Sequence, residues 1–302
     1  MNRILVPLDG SRLSEAILPM AEALARDYEA ELLLLRALRP QRSPEAETDA
    51  QEQAERYLAG IAREVEGRGV PGVAWKVWYA DPDRAIADAA AFHDVDLVAM
   101  STHGRGGLSR LLFGSVAESL VRKARVPVLL VRGQLSWQAG SIGRILVPLD
   151  GSERSEAVLP VVERLAGPLD FVIDLLHVIE PIPQTAMSEL APRAKEIAEL
   201  RSEEARGHLA KVAASLEAKG LRARHAVREG PAADAILQYA REVVLGLIAM
   251  STHGRSGWSR LLVGSVAERV LKAAPVPVLL WKAPGPGLNG ASGGDRRRAE
   301  EE

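Results

Sequence analysis

Three passages of this chain are each written twice, and that duplication limits the possible folds more than any other feature. ILVPLDGS, from Ile4 to Ser11, returns from Ile145 to Ser152, an offset of 141 residues. AMSTHGRGGLSRLLFGSVAE, from Ala99 to Glu118, returns as AMSTHGRSGWSRLLVGSVAE from Ala249 to Glu268, an offset of 150. VPVLL at Val126 to Leu130 repeats at Val276 to Leu280 with that same offset of 150. The nine-residue difference places an insertion in the second copy, in the stretch Pro181 to Ala205. A repeat of about 140 residues is a whole domain, far longer than a solenoid unit. The 302 residues therefore divide into a first unit at 1–132, a linker at 133–142, a second unit at 143–283 and a tail at 284–302. The tail holds almost nothing apolar to bury and is expected to be disordered.

Within each unit, short apolar runs alternate with longer amphipathic stretches. Arg3 to Leu8 reads as a strand, Ser11 to Tyr28 as a helix, Glu31 to Leu38 as a strand and Ala46 to Gly67 as a helix. Val73 to Tyr79, Asp96 to Met100 and Val126 to Arg132 complete five strands, with helices over Pro82 to His93 and Ser115 to Ala124. Strands that are apolar throughout, separated by helices, predict an α/β fold in which a parallel sheet is covered on both faces. The second unit repeats the order.

Composition removes several functions. The charge is near balance, at −2, so no broad basic footprint for nucleic acid or anionic membrane is present. Five Trp, four Tyr and three Phe are too few for base-stacking platforms. With no cysteine there are no disulfides, thiolate metal sites or thiol nucleophiles, which fits a reducing cytoplasm. The opening reaches Asp9 after a handful of apolar residues, against a signal peptide. No apolar run approaches the roughly 20 residues that span a bilayer.

In an open parallel sheet, ligands bind beyond the carboxyl ends of the strands, where the strand order reverses. Strand one ends in Pro7, Leu8, Asp9 (Pro148, Leu149, Asp150 in the second copy), and strand four ends in Ser101, Thr102, His103, Gly104 (Ser251, Thr252, His253, Gly254). After strand four comes a glycine-rich loop with Arg105 or Arg255, then Gly114-Ser115-Val116 or Gly264-Ser265-Val266 at the start of a helix. A helix start offers unpaired backbone N–H groups and the positive end of the helix dipole, which suits phosphate. Ser115 with Glu118 three residues later has the form of a capping box, and the bland alternative is that it does nothing more than start a helix. Asp9 and Asp150 suit ribose hydroxyls or a phosphate-bound magnesium; the alternative is an Asp-Gly turn leading to a helix capped by Ser11. His103 and His253 suit phosphate donation or general-base work, or are held by backbone with no chemical role. Neither a Walker loop nor a GxGxxG after strand one is present.

ILVPLDGS, the HGR loop with its GSVAE helix start, and the closing VPVLL strand together resemble the universal stress protein family, in its tandem two-domain form. The likeness covers nearly the whole chain except the tail. It implies a five-stranded parallel sheet in the order 3-2-1-4-5 in each unit. In the nucleotide-binding branch it also implies ATP, with Mg2+, held by a motif of Gly, two residues, Gly, nine residues, then Gly-Ser or Gly-Thr. Here Ser101 and Ser251 replace the first glycine. By position, the resemblance puts Asp9 and Asp150 against ribose and gives the backbones of Ala37 and Val178 to adenine. It sets His103, Gly104, Arg105, Gly114, Ser115 and Val116, with their second-copy counterparts, around the phosphates. Arg36 stands opposite His177, so the two adenine pockets differ. Last strands of this type pair across dimers in the family, so the two copies are expected to pair within the chain, with a further homodimer left open.

Three functions follow from these residues. One is a cytoplasmic stress-response module whose ATP occupancy tunes conformation or partners. A second is a scaffold that binds no nucleotide, which the two serines favour. A third is a slow ATPase, for which no base or acceptor site is evident.

Overall fold

The computed structural model describes residues 1–102, 114–132, 143–166, 171–181, 194–252 and 264–282. The sequence-predicted linker and tail lie outside these. The first unit runs β1 (Arg3–Pro7), α1 (Arg12–Glu15), α2 (Leu18–Asp27), β2 (Glu31–Leu38), α3 (Pro44–Gly67), β3 (Gly72–Tyr79), α4 (Pro82–Phe92), β4 (Leu97–Ser101), α5 (Ser115–Lys123) and β5 (Val128–Val131). The second repeats it as β6 (Arg144–Pro148), α6 (Glu153–Glu156), α7 (Leu159–Ala166), β7 (Val172–Ile179), α8 (Ala194–Glu217), β8 (Arg222–Glu229), α9 (Ala232–Glu242), β9 (Leu247–Ser251), α10 (Ser265–Ala273) and β10 (Val278–Trp281).

The strands form one ten-stranded sheet in the order β3-β2-β1-β4-β5-β10-β9-β6-β7-β8. Each half is the expected 3-2-1-4-5, and every pairing inside a half is parallel. β5 and β10 pair antiparallel, with Leu129 opposite Leu279. Because the two halves run in opposite directions at this seam, their carboxyl-end mouths open at opposite edges of the sheet.

Helices cover both faces, so alternate residues of one strand enter different cores. Ile4 and Val6 pack with Leu24 of α2 and Leu58 of α3, whereas Leu5 packs with Ile86 of α4 and Leu120 of α5. This is why β1 reads as an uninterrupted apolar run. The outermost strand β8 carries charged and exposed residues, a composition that discourages further edge pairing.

Two local differences from the sequence expectation have clear causes. The helix expected from Ser11 to Tyr28 is two helices, broken after Glu15. Pro19 has no N–H to give to the Glu15 carbonyl and its ring crowds that oxygen, so the helix restarts with proline in its first turn. Pro160 breaks the second copy at the same place. The insertion also becomes sharper. Buried Ala54, Leu58, Ala62 and Val65 of α3 match Ala205, Leu209, Ala213 and Leu216 of α8, an offset of 151, while β3 and β8 are offset by 150. The second copy therefore gains ten residues ahead of α8's matched positions and loses one between α8 and β8.

Candidate functional site at the carboxyl-end mouths

At the end of β1 the chain makes a turn that fixes the aspartate. Asp9 Oδ1 accepts from the Ser11 N–H at 2.9 Å and from the Ser11 hydroxyl at 2.6 Å. Ser11 Oγ in turn accepts from Ser14 N at 3.2 Å and caps α1. Gly10, at φ 80°, supplies the left-handed residue that this turn requires. Asp150, Gly151, Ser152 and Ser155 reproduce the arrangement within about 0.1 Å. The turn alternative and the ligand alternative are thus not exclusive, since Asp150 also borders the cavity described below.

The helix after strand four corrects one expectation. Ser115 is not the cap: Gly114 is the N-cap of α5 and Gly264 that of α10, and neither helix start receives a side-chain cap bond. The capping-box pattern fails because the chain enters the helix one residue earlier, where glycine carries no acceptor. Among the described residues the amides of the first turn therefore receive no side-chain cap bond, which strengthens their case as an anion site. Close packing explains the glycine. Gly114 N donates to the Thr102 carbonyl at 3.1 Å, and a Cβ on Gly114 would lie 2.6 Å from that same oxygen. Gly264 donates to Thr252 O at 2.7 Å.

In the second unit these segments surround a cavity of about 770 Å3, within the usual ~300–1,000 Å3 of small-molecule sites. Pro148, Leu149, Asp150, Val178, Ser251, Gly264, Ser265 and Val266, all expected from sequence, line it. In the first unit Pro7, Leu8, Asp9, Ala37, Ser101, Gly114, Ser115 and Val116 hold the matching positions at the ends of β1, β2 and β4 and the start of α5. His103, Gly104, Arg105, His253, Gly254 and Arg255 lie outside the described residues. The serines that replace the motif's first glycine differ: Ser251 Oγ donates to Ser155 O at 3.3 Å, while buried Ser101 Oγ has no hydrogen-bond partner among the described residues.

Sequence reasoning missed the wall contributed by α8. Arg201, Glu204 and His208 line the cavity beside His177, and His208 Nε2 lies 3.1 Å from Glu156 Oε1. The first unit builds this wall from other residues. Tyr57, the counterpart of His208, donates to Glu15 Oε1 at 2.8 Å, and buried Arg36 stacks 5.1 Å from the Tyr57 ring centroid. Burial first, then the Glu15 hydrogen bond, pushes the Tyr57 phenol above its ordinary range, so it is neutral at physiological pH. Spacing of four residues between Glu204 and His208 on one helix face was the available signal, but long exposed helices carry many such pairs.

No group of three or more His, Asp or Glu side chains among the described residues forms a metal site. That fits magnesium only as an ion carried by phosphate with one carboxylate, the way Mg2+ usually binds nucleotide sites.

Two parallel halves of one sheet, each ending in a turn-fixed carboxylate after its first strand and a glycine-capped helix start after its fourth, define a tandem doubly wound α/β protein. The universal stress protein family pattern matches residues 1–132 and 141–282, and the chain belongs to that family. A universal stress protein of Methanocaldococcus jannaschii is 34% identical over 142 residues, covering 47% of this chain and 82% of its own. One from Mycolicibacterium smegmatis is 27% identical over 297 residues, covering 92% and 96%. Among solved structures, a universal stress protein from Archaeoglobus fulgidus aligns with a TM-score of 0.71 at 22% identity, covering 94% of this chain and 99% of its own, which shows a shared fold. No helix among the described residues is long and apolar enough to cross a membrane.

Proposed function

We propose that each unit binds an adenine nucleotide, ATP with Mg2+, at its carboxyl-end mouth, and that occupancy tunes the conformation or partners of a cytoplasmic stress-response protein. The observation that carries this reading is the helix start at Gly264, uncapped and bordering the same cavity as Asp150. Amides and helix dipole suit the phosphates, the aspartate suits ribose hydroxyls, and the β7 end at Val178 offers backbone to a base. His253, Gly254 and Arg255, with His103, Gly104 and Arg105, would complete the phosphate contacts. The antiparallel β5–β10 seam supports treating the two units as an intrachain pair. Titration calorimetry of the full chain with ATP and magnesium tests the proposal: millimolar or tighter binding that is lost in the Gly114→Ala/Gly264→Ala double variant is expected. Undetectable binding in the wild-type chain at millimolar ATP overturns it and leaves the scaffold reading, which buried Ser101 in place of glycine favours.

A further inference from the structure

We propose that the two units carry unlike nucleotide sites, with Arg36 and Tyr57 making the first insensitive to pH and His177 and His208 making the second bind its anionic ligand best when the imidazoles are protonated. This rests on the nucleotide-binding reading and adds to it a difference between the sites that the duplicated motif conceals. The motif residues are nearly identical in the two copies, so the distinction must come from the walls.

The charges around each wall differ. In the second unit Asp150 (after β6), Glu180 (after β7) and Glu204 (on α8) border the cavity, with Glu156 (on α6) against His208. Arg201 on α8 is the guanidinium among these bordering residues. With both imidazoles neutral the described wall therefore carries a net three negative charges, a poor surrounding for a polyphosphate. Protonating His177 and His208 removes two of them. At the matching positions of the first unit, Asp9 and Glu15 stand with Arg36 and Arg39, Arg39 itself pairing with Asp81 at 2.7 Å, while Ala50 and Gln53 replace Arg201 and Glu204. There the described wall carries one net negative charge without proton uptake, against three in the second unit, and Arg36 keeps its charge at any pH of interest.

Imidazole is the side chain that changes charge between about pH 5 and 8. The two imidazoles line the partly open cleft proposed for the ligand, so their interaction with it is stronger than across open water. By linkage, a polyanion that prefers the protonated form must take up protons on binding.

The test uses the full chain in two single-site forms, Gly264→Ala to leave the first site and Gly114→Ala to leave the second. Each is titrated with ATP and magnesium at pH 6 and pH 8, in two buffers of different ionisation enthalpy. The expected result is binding at the second site about tenfold weaker at pH 8 than at pH 6, with proton uptake, against a change of roughly twofold or less at the first. The first site is the reference for the titration of ATP itself. His177→Arg/His208→Tyr, which installs the pair the first unit already folds with, is expected to flatten the second site's profile. Equal pH dependence at the two sites, or a profile unchanged by that exchange, overturns the inference while leaving nucleotide binding intact. No binding at either pH in the wild-type chain overturns both.

Discussion

The hydroxyl of Tyr28 on α2 donates to the backbone carbonyl of Leu165 on α7, a hydrogen bond between the two halves of the molecule. Burial, reinforced by Asp27, raises the Tyr28 phenol above its ordinary range, so it remains a donor across the physiological span. Around it, Met20, Leu24, Leu129, Ile145, Phe171 and Leu279 draw side chains from both units into one apolar junction. Tyr28→Phe is expected to keep the packing and lose the bond, at about 1–2 kcal/mol of unfolding free energy. Urea denaturation checks it; an unchanged midpoint would show that the bond adds nothing to the junction.

Two glycines should respond oppositely to alanine. Gly60 sits within α3 with open space where a Cβ would go, and Gly60→Ala is expected to raise stability by about 0.5–1 kcal/mol through helix propensity. At Gly114 the Cβ would meet the Thr102 carbonyl oxygen at 2.6 Å, so the backbone must move and the Gly114-to-Thr102 hydrogen bond suffers. A loss of about 1–3 kcal/mol is expected there. Thermal melts of the two variants side by side give the comparison.

Asp174, 1% exposed in β7, stands where the first unit has Leu33. It pairs with Arg144 at 2.7 Å, while its Oδ1 has no hydrogen-bond partner among the described residues. Desolvation raises its carboxyl above the usual range despite that arginine. The folded protein thus holds a proton that the unfolded chain releases, so this group's contribution is greatest below the ordinary aspartate range and falls as pH rises through the raised value. Asp174→Leu is expected to be neutral or to stabilise by up to about 3 kcal/mol at pH 7, and to remove that downward slope. Arg144→Met leaves the carboxylate buried and alone, and should cost about 3 kcal/mol or more. Denaturation from pH 4 to pH 8 measures both.

Asp83 shows the opposite sign. On α4 it accepts from Ser119 Oγ at 2.6 Å and pairs with Lys123, both on α5, and these contacts lower its carboxyl to about 2. Its stabilisation is present above the ordinary aspartate range and is lost as pH falls through about 2. Asp83→Asn is expected to cost about 1 kcal/mol at pH 7, a modest figure because Lys123 is half exposed. The gap between variant and wild type should close in acid, as stability measured at pH 7, 4 and 2 would show.

Much of the site was legible because its parts are contiguous strings. Pro148 to Asp150 and Gly264 to Val266 are each a strand end or a helix start, whose geometry follows from local sequence, and both border the observed cavity. The Ser115 cap was misplaced because serine one residue inside a helix and serine at its edge look the same in one dimension. His208 was overlooked for a different reason. Its partner Glu156 lies 52 positions earlier, and they meet only because α6 and α8 pack on the same face of the sheet.

The sequence alone determined that one α/β unit occurs twice and which short segments stand at its mouths, because repeats, apolar runs and glycine-serine helix starts are local patterns. Tertiary structure decided that β5 meets β10 antiparallel, sending the mouths to opposite edges, and that Arg36 with Tyr57 faces one while His177 with His208 faces the other. Those outcomes depend on which distant surfaces bury one another, a matter of packing that no local periodicity encodes.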